Sequence, residues 1–440
     1  MTPINHRRRR ALRVAPTAAA AVLALGLGGC GAGSVASSSG DTLTVLVEGG
    51  GKAVLMPIAK EFEAETGTSV TFVELPYDSL YERLNTELSA DQVSFDVAAL
   101  DAPWLSYFSP GLLPLDDMFT DDVKGDLFPS LVQEAQVGGH FVGMPAWTNA
   151  EILYYRTDLF SDPQQRRAFK AEYGRELAPP TTWDEYREVA EFFTQDTDGD
   201  GAVDLHGTDV KGAVETEWLS LVLQAGAKNV VLDDDGRIVI DDAFHKAALD
   251  AYVAPIEDGS APAGASQFDW ATSQNLFNQG QLAMSRFWAH AYTQVPEDSP
   301  VHGHVGVTTM PAGPGGAAAF PGAWYLSVPR AAAHQEAAQE FVQFAFDHNE
   351  LGLDSDLGLA ATIPALEAGA AEGRENLSAL TSALDEPGSA PRPATDHWQE
   401  IVDSVLIPML QEATTQAKSG TVNTQALLDR AAKQIETIVG

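Results

Sequence analysis

The acidic segment DTDGDGAVDLHG, residues 196–207, spaces its carboxylates as a calcium loop does. The candidate metal ligands are Asp196, Asp198, Asp200, the Ala202 carbonyl and Asp204. The twelfth position is Gly207 instead of the bidentate glutamate of an EF-hand, and the residues after Ala202 favour an extended chain over a second helix. Two interpretations stay open: a structural calcium site completed by a distant carboxylate, or an acidic turn loop whose side chains accept backbone hydrogen bonds.

The sequence carries no arrangement of nucleophile, base and metal ligand that is typical of an enzyme. Its ten histidines show neither a zinc-binding spacing nor a partner serine in a nucleophile-elbow motif. The three glycines at 49–51 follow an apolar run as a phosphate loop does, but Lys52 is followed by Ala53 instead of serine or threonine. We therefore predict a protein that is not an enzyme and requires no cofactor, with structural calcium as the candidate metal.

Short apolar runs that alternate with longer amphipathic segments predict an α/β fold. TLTVLVE is a β-branched strand that ends at Glu48, SVTFVELP is the next strand, and FDVAALD is a third strand that ends at Asp101. The helix between the first two strands has one apolar face and is expected to end at Gly67. Because ligands of open α/β sheets bind beyond the carboxyl ends of the strands, we expect Glu48 and Asp101 at a binding site.

The charge of the chain excludes a role in binding nucleic acids. The sequence has 62 acidic and 26 basic residues; without the five arginines in 1–29, 21 basic residues remain and the formal charge is −41. Such a surface repels the phosphates of nucleic acids and of anionic lipids. The length that remains, about 400 residues, exceeds what one hydrophobic core usually supports, so two domains are expected.

The first thirty residues have the order basic, apolar, small that is typical of an export signal. The apolar run over 14–27 is shorter than the roughly 20 residues of a transmembrane helix. It ends in LGGC and so resembles the lipobox of bacterial lipoproteins, in which a peptidase cuts before the cysteine and the sulfur carries a diacylglycerol. The resemblance implies a signal peptide over 1–29, a lipid on Cys30 that anchors the protein to the cell membrane from outside, and a tether over 30–41. The alternative is an ordinary signal peptide with an incidental cysteine.

Eight short motifs follow one another along the rest of the chain. They are AKEFEAETGTSV, YERLNTELSA, FDVAALDAPWLSYFSPGLLPLDD, GMPAWTNAEILYYRTDLF, PPTTWDEYREVAEFF, LFNQGQLAMSRFWAH, VGVTTMPAGPGG and AAQEFVQFAF. Each motif is weak alone, but their order and spacing resemble the extracytoplasmic solute-binding proteins of ABC importers, in the carbohydrate-binding branch related to maltose-binding protein.

The resemblance implies two α/β lobes joined by a hinge, with a ligand cleft between the lobes. By the matching motifs, the chain crosses the hinge near 148–152, 306–310 and 346–353. The N-terminal lobe is expected over 42–149 and 308–347, and the C-terminal lobe over 150–307 and 348–440. The resemblance further implies a monomer that closes around a carbohydrate and delivers it to the permease subunits of an ABC transporter.

A sugar in that cleft needs flat aromatic rings beneath its C–H faces and planar polar groups around its hydroxyls. The candidate ligand-binding residues are Glu48, Asp101, Trp104, Trp147, Asn149, Trp270, Trp288, Trp324 and Arg392. Trp288 matches the family's position for a stacking tryptophan, and Trp147 directly precedes the first crossing. Trp183 and Trp398 are expected to pack within the lobes, and the role of Trp218 stays open.

Two alternatives share parts of this pattern. Polyols, glycerol phosphate and peptides bind to the same scaffold, although a phosphate favours more basic residues than the sequence offers near the cleft. A secreted carbohydrate-active enzyme would use paired carboxylates, and spacing alone does not decide whether such a pair exists.

Overall fold

The computed structural model describes residues 42–233 and 235–440, which belong to one compact unit. The expectations for the signal peptide (1–29), for lipidation of Cys30 and for the tether (30–41) lie outside the described residues. Along the two described ranges, no helix combines the length and the apolar character that crossing a membrane requires.

Strands and helices alternate through the first half of the chain, and helices dominate its last third. The strands are β1 (Thr42–Glu48), β2 (Ser69–Leu75), β3 (Val97–Asp101), β4 (Gln136–Val137), β5 (His140–Phe141), β6 (Met144–Trp147), β7 (Glu151–Arg156), β8 (Met284–Trp288), β9 (Val305–Thr308) and β10 (Trp324–Ser327). The helices up to the middle of the chain are α1 (Gly51–Thr66), α2 (Tyr77–Ser89), α3 (Leu105–Phe108), α4 (Asp121–Gly125), α5 (Pro129–Ala135), α6 (Thr157–Ser161), α7 (Pro163–Tyr173), α8 (Trp183–Phe193) and α9 (Thr216–Ala225). The later helices are α10 (Ala243–Glu257), α11 (Trp270–Asn278), α12 (Gln335–Asp347), α13 (Ile363–Ala371), α14 (Glu375–Asp385), α15 (Trp398–Ile401), α16 (Ile407–Lys418) and α17 (Thr424–Val439).

The larger sheet has the strand order β2-β1-β3-β10-β6. β1 runs parallel to β2 and β3, whereas β10 is antiparallel to both of its neighbours. In β10, Trp324 stands opposite Asp101 on one side and opposite Trp147 on the other. The last residues of β1, β3 and β6 and the first residue of β10 therefore lie along one edge of the sheet, which is the edge that binds ligands in open α/β folds.

The smaller sheet has the order β8-β7-β9, and both of its pairs are antiparallel. The first residue of β7, Glu151, stands opposite Trp288, the last residue of β8. The chain leaves the larger sheet after Trp147 and enters the smaller one at Glu151; it returns between Thr308 and Trp324. These are the points at which the chain passes from one sheet to the other. The lobe boundaries given by the sequence stay a prediction.

Helices form where the sequence places apolar residues on one face. α1 buries Val54, Leu55, Ile58 and Phe62 and ends at Gly67, as the sequence predicts. Gly67 has φ 76° and its N–H donates to the Glu63 carbonyl, which is a left-handed helix cap that favours glycine.

Three apolar cores hold these elements together. The largest packs the larger sheet against α1, α12, α13 and α14 and extends to β7 and β8. The second joins α9 and α10 to α16 and α17, and the third lies under α7 and α8. The C-terminal helices are thus divided, since α13 and α14 pack on the first core while α15, α16 and α17 pack on the second.

Asn349, at the start of a 3-10 turn over Asn349–Asp354, connects three backbone segments from a buried position. Its side-chain amide donates to the Ala146 carbonyl (2.6 Å) and accepts from the N–H groups of Ala361 (2.6 Å) and Thr362 (3.1 Å). These bonds fix the end of β6, which carries Trp147, against the chain that follows α12. Without them, three buried backbone groups would lack a partner from this side chain, and that is costly.

We predict that Asn349→Ala lowers the free energy of unfolding by about 3 kcal/mol, because desolvated backbone groups lose their partners. Urea unfolding followed by tryptophan fluorescence measures the change. Asn275→Ala, at an exposed position in α11, is the matched control, and it should change the stability by less than about 0.5 kcal/mol. An Asn349→Ala protein as stable as this control would contradict the role assigned to the buried amide.

Candidate functional site

A cavity of about 600 Å³ lies where the edges of the two sheets face each other. Of the nine residues predicted to bind a ligand, eight line it: Glu48, Asp101, Trp147, Asn149, Trp270, Trp288, Trp324 and Arg392. The larger sheet contributes the ends of β1, β3 and β6 and the start of β10, and the smaller sheet contributes the end of β8. The cavity therefore forms beyond the carboxyl ends of strands, where open α/β sheets bind their ligands; we call this the strand-end rule. That these side chains bind a ligand stays a prediction.

Aromatic rings face the cavity from both sheets. On the larger sheet, Trp147 and Trp324 stack with ring centroids 5.6 Å apart and an interplanar angle of 15°. On the other side, Trp270 and Trp288 lie 5.4 Å apart at 49°. Flat aromatic surfaces of this kind cover the apolar faces of a ligand, and polar groups around them fix its orientation.

Two glycines make room for these rings. A Cβ at Gly51 would lie 2.8 Å from the Trp147 ring, and a Cβ at Gly322 would lie 2.7 Å from the Trp288 ring. Real side chains do not tolerate such distances, so any other residue at either place would displace the indole. The glycine run after β1 therefore leaves the space that the Trp147 ring occupies.

Asp101 has both carboxylate oxygens engaged by the protein. The Tyr77 hydroxyl donates to Oδ2 (2.8 Å), and Arg392 Nη2 donates to Oδ1 (3.0 Å). Burial and the charge of Asp101 hold the pKa of the Tyr77 hydroxyl well above its usual value, so this group is a donor. Asp101 thus orients a phenol and a guanidinium that both line the cavity.

Glu48 is half-buried at the end of β1. Burial, together with the negative charges of Asp101 and Glu74, raises its pKa to about 7. Glu215, which precedes α9, also has a raised pKa, chiefly because it is buried. Both carboxyl groups therefore keep a proton to a higher pH than an ordinary glutamate does.

Asn149 connects the first passage between the sheets to the 3-10 turn after β8. Its side-chain Nδ2 donates to His290 Nδ1 (2.7 Å), and its backbone carbonyl accepts from the Gly322 N–H (2.7 Å). Burial lowers the pKa of His290 to about 4, so the imidazole is neutral and its Nδ1 can accept. Asn149 and His290 both line the cavity as polar, uncharged groups.

The structure does not place Trp104 at the cavity, contrary to the expectation from sequence. A 3-10 turn over Ala102–Trp104 directs the indole into the core, where its ring lies 4.5 Å from that of Tyr77 and 5.7 Å from that of Trp324. Trp104 therefore supports the aromatic wall from behind. Its Nε1 donates to Gln399 (3.3 Å), a residue that lines the cavity.

The remaining tryptophans divide between packing and the cavity wall. Trp218 is fully buried in the second core, and Trp183 packs against the same core as predicted, with its Nε1 donating to Gln224 (2.8 Å). Trp398 is buried in that core, as expected, but it also forms part of the cavity wall.

Sequence reasoning missed several residues of the wall. Tyr77 follows β2 as Glu48 ends β1, so the strand-end rule applied to the second strand would have found it. Glu215 and Thr216 come from the start of α9, and Gln399 comes from α15. No local signal marks these three, because only the packing of distant helices brings them to the cavity.

A network of buried charges lies behind the wall that α9 and β8 form. Lys211 Nζ is 2.8 Å from Asp209, 3.3 Å from Glu217 and 2.7 Å from the Arg286 carbonyl. Arg286 pairs with Glu217. Counted with Glu151, which is buried beside them, the three acids outnumber the two bases by one. The pKa of Glu151 is raised to about 7 by its burial and by the charge of Glu217. A neutral Glu151 balances the network.

The network also supports the aromatic wall. Lys211 Nζ lies 5.2 Å from the centroid of the Trp270 ring and 5.8 Å from that of Phe287, within the range of cation–π contacts. Trp270 is therefore held between a buried cation and the neighbouring indole of Trp288.

The acidic loop at 196–204 does not contribute to the cavity lining. Carboxylate oxygens of Asp196, Asp198 and Asp204 lie within 4.8 Å of one another, whereas Asp200 is not in this group. The oxygens also accept backbone hydrogen bonds inside the loop, such as that from the Ala202 N–H to Asp200 (2.8 Å) and those from two glycine N–H groups to Asp196. This is the bonding of an acidic turn loop. Calcium binding stays a prediction.

Comparison with known proteins places the chain among transport receptors. The model of the family described as bacterial extracellular solute-binding protein matches residues 47–349. A probable ABC transporter-binding protein of Deinococcus radiodurans is 30% identical over 301 residues, which are 65% of this chain and 67% of that protein. The mannitol-binding protein of Pseudomonas aeruginosa is 25% identical over 334 residues, 74% of this chain and 73% of that protein.

A solved structure extends the likeness to the whole described fold. Maltose-bound MalE3 of T. maritima is 25% identical, has a TM-score of 0.72 and covers 90% of this chain and 100% of its own. The α/β class predicted from the sequence is confirmed, and so is its resemblance to two-lobed binding proteins.

We predict that Glu151→Gln stabilises the protein at pH 8 by up to about 3 kcal/mol relative to the native chain and has little effect at pH 5. The folded-state pKa of Glu151 is raised from 4.5 to about 7, so the folded chain holds a proton that the unfolded chain releases. The native protein therefore loses stability as the pH rises from about 4.5 through 7, and the amide removes that loss.

Urea unfolding of both proteins between pH 5 and pH 8 measures the difference. Glu340→Gln, on the exposed side of α12, is the matched control. A stability difference between Glu151→Gln and native protein that stays constant over this range would show that Glu151 is ionised in the folded state throughout.

Proposed function

The chain belongs to the family of bacterial extracellular solute-binding proteins, and on that premise we propose that it binds a carbohydrate outside the cell and delivers it to the permease subunits of an ABC transporter. The observation that carries this proposal is the pair of aromatic walls, Trp147 with Trp324 and Trp270 with Trp288, which line one cavity from two sides. Indole rings suit the C–H faces of a pyranose, and a ligand between two such walls is covered on both sides.

Polar groups around the rings suit the rim of a sugar. Arg392 and the amides of Asn149 and Gln399 line the cavity and offer N–H donors, while Glu48 offers acceptors. A planar guanidinium or carboxylate binds two vicinal hydroxyls at once. One solved relative supports the same class of ligand, since it contains maltose.

A polyol is the second candidate ligand because a named relative binds mannitol. A linear polyol has hydroxyls but no ring with a C–H face, so the stacked indoles favour a cyclic sugar over it.

As a solute-binding protein, the chain should return its ligand intact, and no new reducing ends should appear when it is incubated with oligosaccharides.

We further propose that a lipid on Cys30 holds the receptor at the cell membrane, as a monomer. The lipobox-like LGGC supports this assignment, and the highly negative surface argues against adhesion to anionic lipids by charge alone. A tether over 30–41, as the sequence predicts, would keep the receptor close to the permease.

The lipid assignment predicts that Cys30→Ser, expressed in a bacterial host that lipidates exported proteins, moves the protein from the membrane pellet to the soluble fraction. The native chain should carry the added mass of a diacylglycerol, which intact-protein mass spectrometry detects. Ser34→Ala, in the same segment, is the control and should stay with the membrane. Equal release of native and Cys30→Ser protein would contradict the assignment.

The carbohydrate assignment predicts that Trp288→Ala weakens sugar binding at least tenfold, because the ligand loses one stacking surface. Thermal shift with maltose, tagatose, mannitol and ribitol identifies a bound ligand, and calorimetry then gives the dissociation constant. Trp183→Ala removes an equally half-buried indole that lies outside this cavity, so it should lower the stability and leave the affinity unchanged.

The two variants separate the role of stacking from that of packing. If Trp183→Ala weakens binding as much as Trp288→Ala does, the loss comes from general destabilisation and the stacking role is wrong. If no carbohydrate or polyol stabilises the native protein while an amino acid or a peptide does, the family assignment stands and the carbohydrate proposal fails.

A further inference from the structure

The lining of the cavity is strongly acidic. It includes six carboxylates, namely Glu48, Asp78, Asp101, Glu215, Asp269 and Asp403. Among the described lining residues, one arginine and no lysine stand against them. A ligand that enters this cavity therefore meets a negative potential, which attracts cations and repels anions.

The one guanidinium of the lining does not offset this charge, because Asp101 neutralises it. Arg392 and Asp101 lie 3.0 Å apart, and the two side chains are 8% and 9% exposed. Two other lining acids serve local structure: Asp269 caps α11 by accepting from the Thr272 N–H, and Asp403 accepts from Gln399.

Glu48 and Glu215 differ from these acids and from Asp78, which is exposed in the first turn of α2. In the part of the chain that the structure describes, neither side chain bonds or pairs with another residue, and the Glu215 carboxylate accepts only from its own backbone N–H. Both are half-buried, and burial raises the pKa of each. A half-buried carboxylate without a partner is unfavourable, and a cation brought by the ligand would relieve that cost for both groups.

A buried polar atom in the same lining has no partner either. Arg392 Nε is shielded from solvent and makes no hydrogen bond to any described residue, whereas the Thr216 hydroxyl is directed to Glu151. Buried polar groups are nearly always satisfied, so Arg392 Nε indicates a hydroxyl or a similar acceptor on the ligand. The cavity thus favours a ligand with a hydroxyl near Arg392 and a cation near Glu48 and Glu215.

We propose that the preferred ligand is a saccharide that carries an ammonium group, an amino sugar or a short chain of amino sugars. This inference rests on the proposed carbohydrate function and names the substrate class of the same cavity. The ammonium group pairs with Glu48 or Glu215, the ring stacks on the indoles, and a hydroxyl binds Arg392. Indole faces attract cations as well as C–H groups, so the aromatic walls and the acids favour the same ligand.

A neutral sugar makes less use of the cavity, because it leaves both glutamates either charged without a partner or protonated. A sugar phosphate or a uronic acid adds a negative charge to a lining that already has an excess of acids. The order of affinity expected from charge is therefore amine, then hydroxyl or N-acetyl, then acid.

Saccharides that differ at one position test this order. Glucosamine, glucose and N-acetylglucosamine have the same ring and differ only at C2. The β-1,4 disaccharides built from each of them form a second series with one linkage and the same differences at C2. At pH 6.5 the amine is protonated, and pairing with it ionises Glu48, whose pKa in the empty cavity is about 7. Calorimetry at this pH should give at least tenfold tighter binding of the amine in whichever series binds. The preference should shrink as sodium chloride is raised, since salt screens charge.

Variants locate the preference. In Glu48→Gln combined with Glu215→Gln, the ratio of amine to hydroxyl affinity should fall to near one, because the amine loses its charged partners whereas any lost hydrogen bond to Glu48 weakens both sugars alike. Glu436→Gln, an exposed acid on α17 outside the cavity, should leave the ratio unchanged. A retained preference in the double variant would overturn the role of the two glutamates.

The native protein alone separates failure of this inference from failure of the function. Equal or tighter binding of a neutral sugar, including maltose, overturns the amino-sugar inference and leaves the carbohydrate receptor intact. If neither the amines nor the neutral saccharides bind, the carbohydrate function itself is wrong, and the inference falls with it.

Discussion

The pairing of three strand residues in one row is the constraint on which the site depends. Asp101, Trp324 and Trp147 stand side by side across β3, β10 and β6, with a register shift in the β10–β6 pair between Trp324 and Tyr325, so the sheet fixes their spacing. Because side chains alternate along a strand, a slip of one residue would turn both indoles to the opposite face. The aromatic wall is therefore as rigid as the sheet, and its geometry owes little to loops.

The aromatic wall opposite this row, formed by Trp270 and Trp288, is held in place in a different way. Trp288 ends a strand, but its neighbour Trp270 begins a helix, and a buried lysine holds the latter in place. The network around Lys211, counted with Glu151, has one more acid than bases, and it is neutral at a pH below about 7, where Glu151 is protonated. One wall is thus set by backbone pairing and the other by charge balance in a dry interior. The second is the more sensitive to pH.

The sequence predicted much of this arrangement because strand ends carry local signals. Glu48 and Asp101 were predicted by their position after apolar runs, Trp147 and Trp324 by their position near the passages between the sheets, and Trp288 by the family resemblance. Trp104 was misplaced, since a 3-10 turn reverses its direction and sequence periodicity does not report such turns. Glu215 and Gln399 were missed because helices from distant parts of the chain bring them in. The pairing of Asp101 with Arg392 spans 291 positions, and no local pattern predicts it.

The hydrogen bond from the Gly322 N–H to the Asn149 carbonyl has a mechanical consequence. It ties the two passages between the sheets together directly beside Trp288, whose ring touches the space that a side chain at 322 would fill. If one sheet rotates against the other, points beside this tie travel the shortest arc, and points at the far rim travel the longest. Trp288 would then keep nearly the same position in open and closed forms. A ligand could therefore bind to this indole before closure, and the opposite wall would contact it afterwards.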